Sequence, residues 1–269
     1  IYTMALAMEA AAEQDIPFIV LDRPNPIGGL KVEGPVLEAP EYASFVGQYE
    51  IPLRHGMTVG ELAKLFNEEF GINADLTVIK MENWKRSMDY NDTGLEWVLP
   101  SPNMPTLETA YVYPGTALIE GTNVSEGRGT TKPFEMLGAP FMNSTGLARE
   151  LNRLNLEGVE FRAASFTPLS SKHSGKLSHG VQVHITDFEA FSPIETGLHI
   201  VKTMHDLYPD EFQFREEDSN GISFFDLLIG NGFIREDIEA GKSVKSMKAK
   251  WEKDLKEFKK VRKQYLMYK

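Results

Sequence analysis

The chain has 269 residues, 42% hydrophobic and 25% charged, enough for one large or two smaller domains with real cores, and no apolar run of about eighteen residues that would span a bilayer. It has no cysteine, which excludes disulfides and thiolate metal sites. Its net charge of −11 is uneven: residues 242–269 hold ten lysines, one arginine and three acids, so the rest is more acidic still and repels polyanions, which excludes nucleic acid as the main ligand.

In chain order, "IYTMALAMEAAAEQ" reads as a helix that begins without a capping residue. A buried strand, "IPFIVLD", follows at once. Helix-then-strand is half of an α/β unit, so the chain is expected to be an N-terminally truncated piece from which any signal peptide is missing. Structure breakers in "DRPNPIGG" force an open loop after Asp22. In open α/β sheets ligands sit beyond the carboxyl ends of strands, where this loop lies. "TVGELAKLFNEEFG" is a helix, with Thr58 and Glu61 as a capping box, Leu62, Leu65, Phe66 and Phe70 as its apolar face, and Gly71 as its stop. "DLTVIKM" reads as another strand, followed by a polar stretch containing tryptophan.

"LPSPNMPT" is irregular and offers an asparagine between prolines, as the first proline loop does. A short helix or strand through Ala110–Tyr113 leads to "EGTNVSEGRGTTKPFE", residues 120–135. A composition shift over 135–140 marks the expected domain boundary, giving domains of 1–135 and 136–269. Beyond it "TGLARELNRLN" is helical, and "VEFRAASFTP" and "GVQVHITDF" are strands; Val181, Val183 and Ile185 alternate with polar residues. Ser192, Pro193 and Glu195 start a helix that runs to about Tyr208. The basic C-terminal segment carries Val244, Met247, Trp251, Leu255, Phe258, Val261 and Tyr265 every three or four residues, which predicts a docked helix with a solvated lysine face. The fold class expected from these elements is α/β followed by a smaller α+β portion.

The stretch 120–135 has the glycines of a phosphate loop but not their spacing. Five residues after Gly121 stands Glu126 where a P-loop needs its next glycine, and Gly127 and Gly129 are followed by Lys132 where a dinucleotide motif needs its third. Its acids, Glu120 and Glu126, also repel phosphate. His173, His179 and His184 match no zinc spacing, and no cofactor or metal is expected. Two readings of the loop stay open. Its carboxylates, with an arginine fork suited to a ligand carboxylate, form a carbohydrate site. Alternatively Glu120 caps a turn and Arg128 pairs with a neighbouring acid, so that the loop is simply well ordered.

"VLDRPNPIGG", "GPVLE", "PLRHGMTVGELA", "PSPNMPT", "YPGTALIEGTNVSEGRGTTKPFE", "GAPF" and "FRAASFTP", in this order, resemble the NamZ-like exo-β-N-acetylmuramidases of bacterial cell-wall turnover and recycling, long catalogued as a domain of unknown function. The resemblance runs through essentially the whole chain. It implies a Rossmann-like N-terminal domain without a nucleotide, here partial, a smaller C-terminal α+β domain, and a cleft between them. It implies hydrolysis of N-acetylmuramic acid from non-reducing ends of peptidoglycan fragments (muropeptides and MurNAc-GlcNAc) in an extracellular or periplasmic setting. Family members carry further upstream α/β segments with a candidate catalytic acid, so the resemblance implies that the chain alone holds only part of the catalytic apparatus. The resemblance makes Glu120 and Glu126 the catalytic candidates, Glu120 favoured, and Arg128 the candidate for the lactyl carboxylate. Asp22, Arg23, Asn25, His55, Asn103, Asn123 and Thr130 are the further substrate-binding candidates. The rival expectation is a non-catalytic peptidoglycan- or carbohydrate-binding protein.

Overall fold

The computed structural model describes residues 1–217 and 219–269. The chain is mixed α/β and divides into two compact units, the first comprising Ile1–Trp97 and Trp251–Lys269, the second Val98–Lys250. Residues 135–140, where composition suggested a boundary, lie inside the second unit.

In the first unit, helix α1 (Tyr2–Glu13) leads to strand β1 (Phe18–Leu21), then to the antiparallel pair β2 (Glu33–Val36) and β3 (Pro52–Arg54), helix α2 (Val59–Glu69) and strand β4 (Leu76–Ile79). β1 and β4 pair in parallel from Phe18↔Leu76 to Leu21↔Ile79. A parallel pair cannot be closed by a hairpin, and α2 lies in the crossover that joins them. The start of α2 is set locally, since Thr58 and Glu61 form the reciprocal capping box that the sequence predicts. Its apolar face buries Leu62, Leu65 and Phe66 with Ala5, Ile51, Met57, Phe258 and Tyr265 in one core cluster.

The last two of those belong to helix α8 (Val244–Tyr265), whose stripe Val244, Met247, Trp251, Phe258 and Tyr265 is buried while most of its lysines are exposed. β1 is the strand that the sequence predicts. Only Val20 is buried; Ile19 and Leu21 are 61% and 70% exposed. Val20 packs with Met8, Ala63 and Ala74, on the side of the sheet that α1 and α2 cover.

The second unit contains α3 (Leu107–Thr116), a 3-10 turn over Ala117–Gly121, β5 (Met136–Ala139), α4 (Ser144–Arg153), β6 (Val159–Phe166), β7 (Ser178–Ile185), α5 (Pro193–Leu207), α6 (Phe224–Ile229) and α7 (Phe233–Glu239). The segment through Ala110–Tyr113 is helical. The sheet is antiparallel in the order β5-β7-β6, with Leu137 opposite Val181 and Phe161 opposite Val183. As the alternation predicts, Val181 and Val183 face the core and His184 faces solvent. Helices α3 and α5 meet at Gly115 and Gly197: a Cβ on Gly115 would stand 1.8 Å from the Pro193 carbonyl oxygen. That approach closes the helical side of the unit and holds the turn after α3, which presents Glu120.

Candidate functional site

Residues 120–135 are ordered by their own backbone. Ser125 and Gly138 exchange N–H···O bonds of 2.9 and 3.1 Å, and the Phe134 N–H donates to the Glu126 carbonyl at 2.6 Å. Gly127 and Gly129 turn the chain with φ of 79° and 77°. A Cβ on Gly129 would meet the Ser170 nitrogen at 2.4 Å, so a glycine lets the loop over 167–177 lie directly on this one.

The turn gathers four charges. Arg128 Nε lies 3.1 Å from Oε1 of both Glu120 and Glu126, and its Nη2 also donates to Glu120. Lys172 Nζ lies 2.9 Å from Glu126 Oε2 and donates at 2.9 Å to the carbonyls of Ile119 and Thr122. Burial holds Lys172 below its usual pKa, although Glu126 and Glu120 favour its charge. Burial also opposes the charge of Arg128, but its bonds and proximity to Glu120 and Glu126 outweigh this and raise its pKa.

Phe134 and Tyr113 wall this cluster. The guanidinium carbon is 5.1 Å from the Phe134 ring centroid, and Tyr113 meets that ring edge-on at 4.8 Å. Burial, then the Glu120 charge, raise the Tyr113 phenol.

The two acids are not equivalent. The Glu126 side chain is 2% exposed with each oxygen against a cation; that of Glu120 is 18% exposed, and its Oε2 has no partner among the described residues. Arg128 has two nitrogens committed to its own loop, which leaves Nη1 alone for the ligand carboxylate expected there. Asn123 and Thr130 are also engaged. Asn123 donates to the Glu211 carbonyl and accepts from the Gln213 N–H; Thr130 donates to the Gly127 carbonyl and accepts from the Lys132 N–H. The half-buried Asn103 side chain has no partner among the described residues. Glu135, outside the expected set, is buried against Thr109 Oγ1 at 2.7 Å and Lys132 Nζ at 2.9 Å.

In the first unit, a cavity of about 560 Å³ opens at the carboxyl ends of both parallel strands. Asp22, Arg23 and Pro24 line it after β1, Met81, Glu82, Asn83 and Trp84 after β4, with Met88, Asp92, Thr93 and Leu95. Asp22 itself is saturated: its carboxylate accepts from the N–H groups of Arg23 and Gly60 and from the hydroxyls of Thr58 and Tyr268. It anchors the N-terminus of α2 rather than offering itself to a ligand. Asn25 bonds the Met57 carbonyl and the Ile27 N–H, and His55 Nδ1 accepts from the Met57 N–H at 3.0 Å. Both hold the loops together and neither lines the cavity. Arg23 does line it, exposed and without a side-chain partner among the described residues.

Sequence spacing missed Lys172, Trp84 and Tyr268, because their partners are distant in the chain. Among the described residues no group of three or more His, Asp or Glu is placed to hold a metal ion.

His55 makes the first unit acid-sensitive. Burial, with Arg262 and Arg54 beside it, lowers its pKa to about 4. The unfolded chain takes up this proton near pH 6.5, so the stabilising neutral form is fully populated above about 6.5 and its contribution is lost as pH falls through about 4. The loss amounts to about 3 kcal/mol. The Tm is expected to drop between pH 7 and 4.5, and His55→Asn, whose Oδ1 keeps an acceptor, should flatten part of that drop. Equal slopes in both proteins would contradict it.

Residues 1–108 match the family described as exo-beta-N-acetylmuramidase NamZ, N-terminal, and residues 111–268 its C-terminal counterpart. The peptidoglycan beta-N-acetylmuramidase NamZ of Bacillus subtilis (strain 168) is 63% identical over 268 residues. The match covers all of this chain and 63% of that protein. Two crystal structures of DUF1343 family proteins from Bacteroides fragilis NCTC 9343 are similar over the whole chain and 70% of their own length. One has a TM-score of 0.90 at 40% identity, the other 0.76 at 35%.

Proposed function

Because the chain belongs to the NamZ exo-β-N-acetylmuramidase family, we propose that the protein is a peptidoglycan glycosidase that removes terminal non-reducing β-N-acetylmuramic acid. The observation within the structure that carries this reading is Glu120, a partly exposed carboxylate with one oxygen fixed by Arg128 and the other free. Glycoside hydrolysis needs a carboxyl group that protonates the leaving oxygen or takes a proton from the attacking water, and that group has to be both held and accessible. Glu120 meets both conditions. Glu126, buried between two cations, positions Arg128 and Lys172 instead. Arg128 then orients Glu120, and its free Nη1 is left for the lactyl carboxylate of the substrate.

The parallel pair β1 and β4 with α2 in its crossover fits part of a Rossmann-like sheet. Muropeptides and the disaccharide MurNAc-GlcNAc are the substrates that this activity implies, and an extracellular or periplasmic setting is where they occur. Free N-acetylmuramic acid is the expected product when the protein expressed from its complete gene is given MurNAc-GlcNAc. Saturable binding of the disaccharide without cleavage would favour a non-catalytic binding protein.

A further inference from the structure

Lys172 stands between two residues held in unusual backbone. Ser171 and His173 have φ of 66° and 57°, the left-handed region that side chains other than glycine enter only under constraint. The constraint comes from residues 119–129. His173 Nε2 lies 2.8 Å from the Asn123 carbonyl oxygen, the Leu169 N–H donates to the Gly129 carbonyl at 3.0 Å, and the Ser170 backbone lies directly against Gly129. These contacts seat the loop over 167–177 and deliver Lys172 to the turn that carries Glu120.

The Lys172 ammonium lies 2.9 Å from each of three oxygens: the carbonyls of Ile119 and Thr122, and Oε2 of Glu126. The two carbonyls bracket Glu120 and Gly121, so one cation ties both ends of the turn. Gly121 is packed on α6, where a Cβ would stand 2.5 Å from the Phe225 Cα, and the turn has no slack on that side. The third contact reaches Glu120 by a second route. Glu126 Oε2 is buried and accepts no hydrogen bond among the described residues, so the Lys172 charge offsets its desolvation. Glu126 Oε1 faces Arg128, and Arg128 holds Glu120. Without the ammonium, Glu126 has one cation instead of two and competes with Glu120 for the Arg128 guanidinium.

We propose that Lys172 is a positioning residue for Glu120, fixing the backbone of its turn through the Ile119 and Thr122 carbonyls and its carboxylate through Glu126 and Arg128. The effect on turnover rests on the glycosidase reading above; the three contacts of the ammonium do not. Lysine suits the place because a single nitrogen meets three converging oxygens, which the planar fork of an arginine does not.

The test is Lys172→Met, which keeps the length of the side chain and removes its charge and donors, in the protein expressed from its complete gene. With a chromogenic β-N-acetylmuraminide, kcat is expected to fall about a hundredfold while KM stays within about twofold of the parent. In a Glu120→Gln background the same substitution should cost less than about twofold more, since a residue that acts through Glu120 then has nothing left to position. An equal loss in both backgrounds, or a kcat like that of the parent, overturns the proposal. Should Lys172→Met fold poorly, Lys172→Arg takes its place, keeping the charge but not the converging contacts, with a loss of about tenfold expected and the same outcomes decisive. Amide hydrogen exchange reads the claim without turnover. The Thr122 N–H, bonded to the Ile119 carbonyl at 3.0 Å, should exchange about tenfold faster in Lys172→Met while Val181 and Val183 keep their protection. Unchanged exchange at Thr122, or equal acceleration in the sheet, overturns the positioning role. The two readings separate cleanly. A parent that leaves the muraminide intact removes the glycosidase, and the Thr122 amide then decides the role of Lys172. Hydrolysis at the parent's rate by Lys172→Met removes the positioning role and leaves the glycosidase.

Discussion

Glu120→Gln is expected to lower kcat for muraminide hydrolysis about a thousandfold, within the range that general acid–base groups contribute. The substitution keeps the shape of the side chain and an acceptor for Arg128 and removes only the proton chemistry. Its stability cost should be small, about 1 kcal/mol, since the Glu120 side chain is 18% exposed and its ion pair is partly solvated. Glu126→Gln should behave in the opposite manner. It leaves Arg128 and Lys172 short of a buried counter-charge, so Tm falls first and turnover falls only as the loop loosens. Steady-state kinetics beside thermal melts of the two variants distinguish these roles. Near-normal turnover in Glu120→Gln removes it from the mechanism.

The second large effect lies in the first unit. Glu61 is fully buried and ion-pairs with Arg86, while its two oxygens also accept from the N–H groups of Thr58 and Met267. Arg86 and Arg262 both donate to the carbonyls of Gly29 and Gly56, so two guanidinium groups share one region. Burial and the neighbouring Arg86 push the Arg262 pKa down to about 10, and Glu61 acts against that shift. Glu61→Gln removes a negative charge beside two buried positive ones, and breaking one partner of such a group costs about 3–5 kcal/mol. Denaturant unfolding should show that loss in the midpoint. Glu61→Gln within 1 kcal/mol of the parent would mean that water, not Glu61, compensates the arginines.

What the sequence made legible was local. The Thr58–Glu61 capping box, the stripe of α8 and the alternation of Val181 and Val183 each depend on neighbours within one element, and each appears in the structure. The capping box also concealed the second role of Glu61, since Arg86 is remote from it in sequence.

The same limit governs the loop at 120–135. Of the two open readings of Arg128, the structure shows the pairing with neighbouring acids, one of which is the partly exposed Glu120. Lys172, which fixes the other acid, comes from a separate loop that only the close approach at Gly129 brings near. Asn25, His55, Asn123 and Thr130 have the polar chemistry of binding residues, and each also has side-chain hydrogen bonds committed to the fold. No spacing in the sequence distinguishes a spent side chain from a free one.

The most direct test of the glycosidase reading is hydrolysis of a chromogenic β-N-acetylmuraminide by the protein expressed from its complete gene, beside the matching β-N-acetylglucosaminide. Chromophore release from the muraminide is expected, with little from the glucosaminide and loss of the muraminide activity in Glu120→Gln. No release from the muraminide, or equal release by the parent and Glu120→Gln, would contradict that reading.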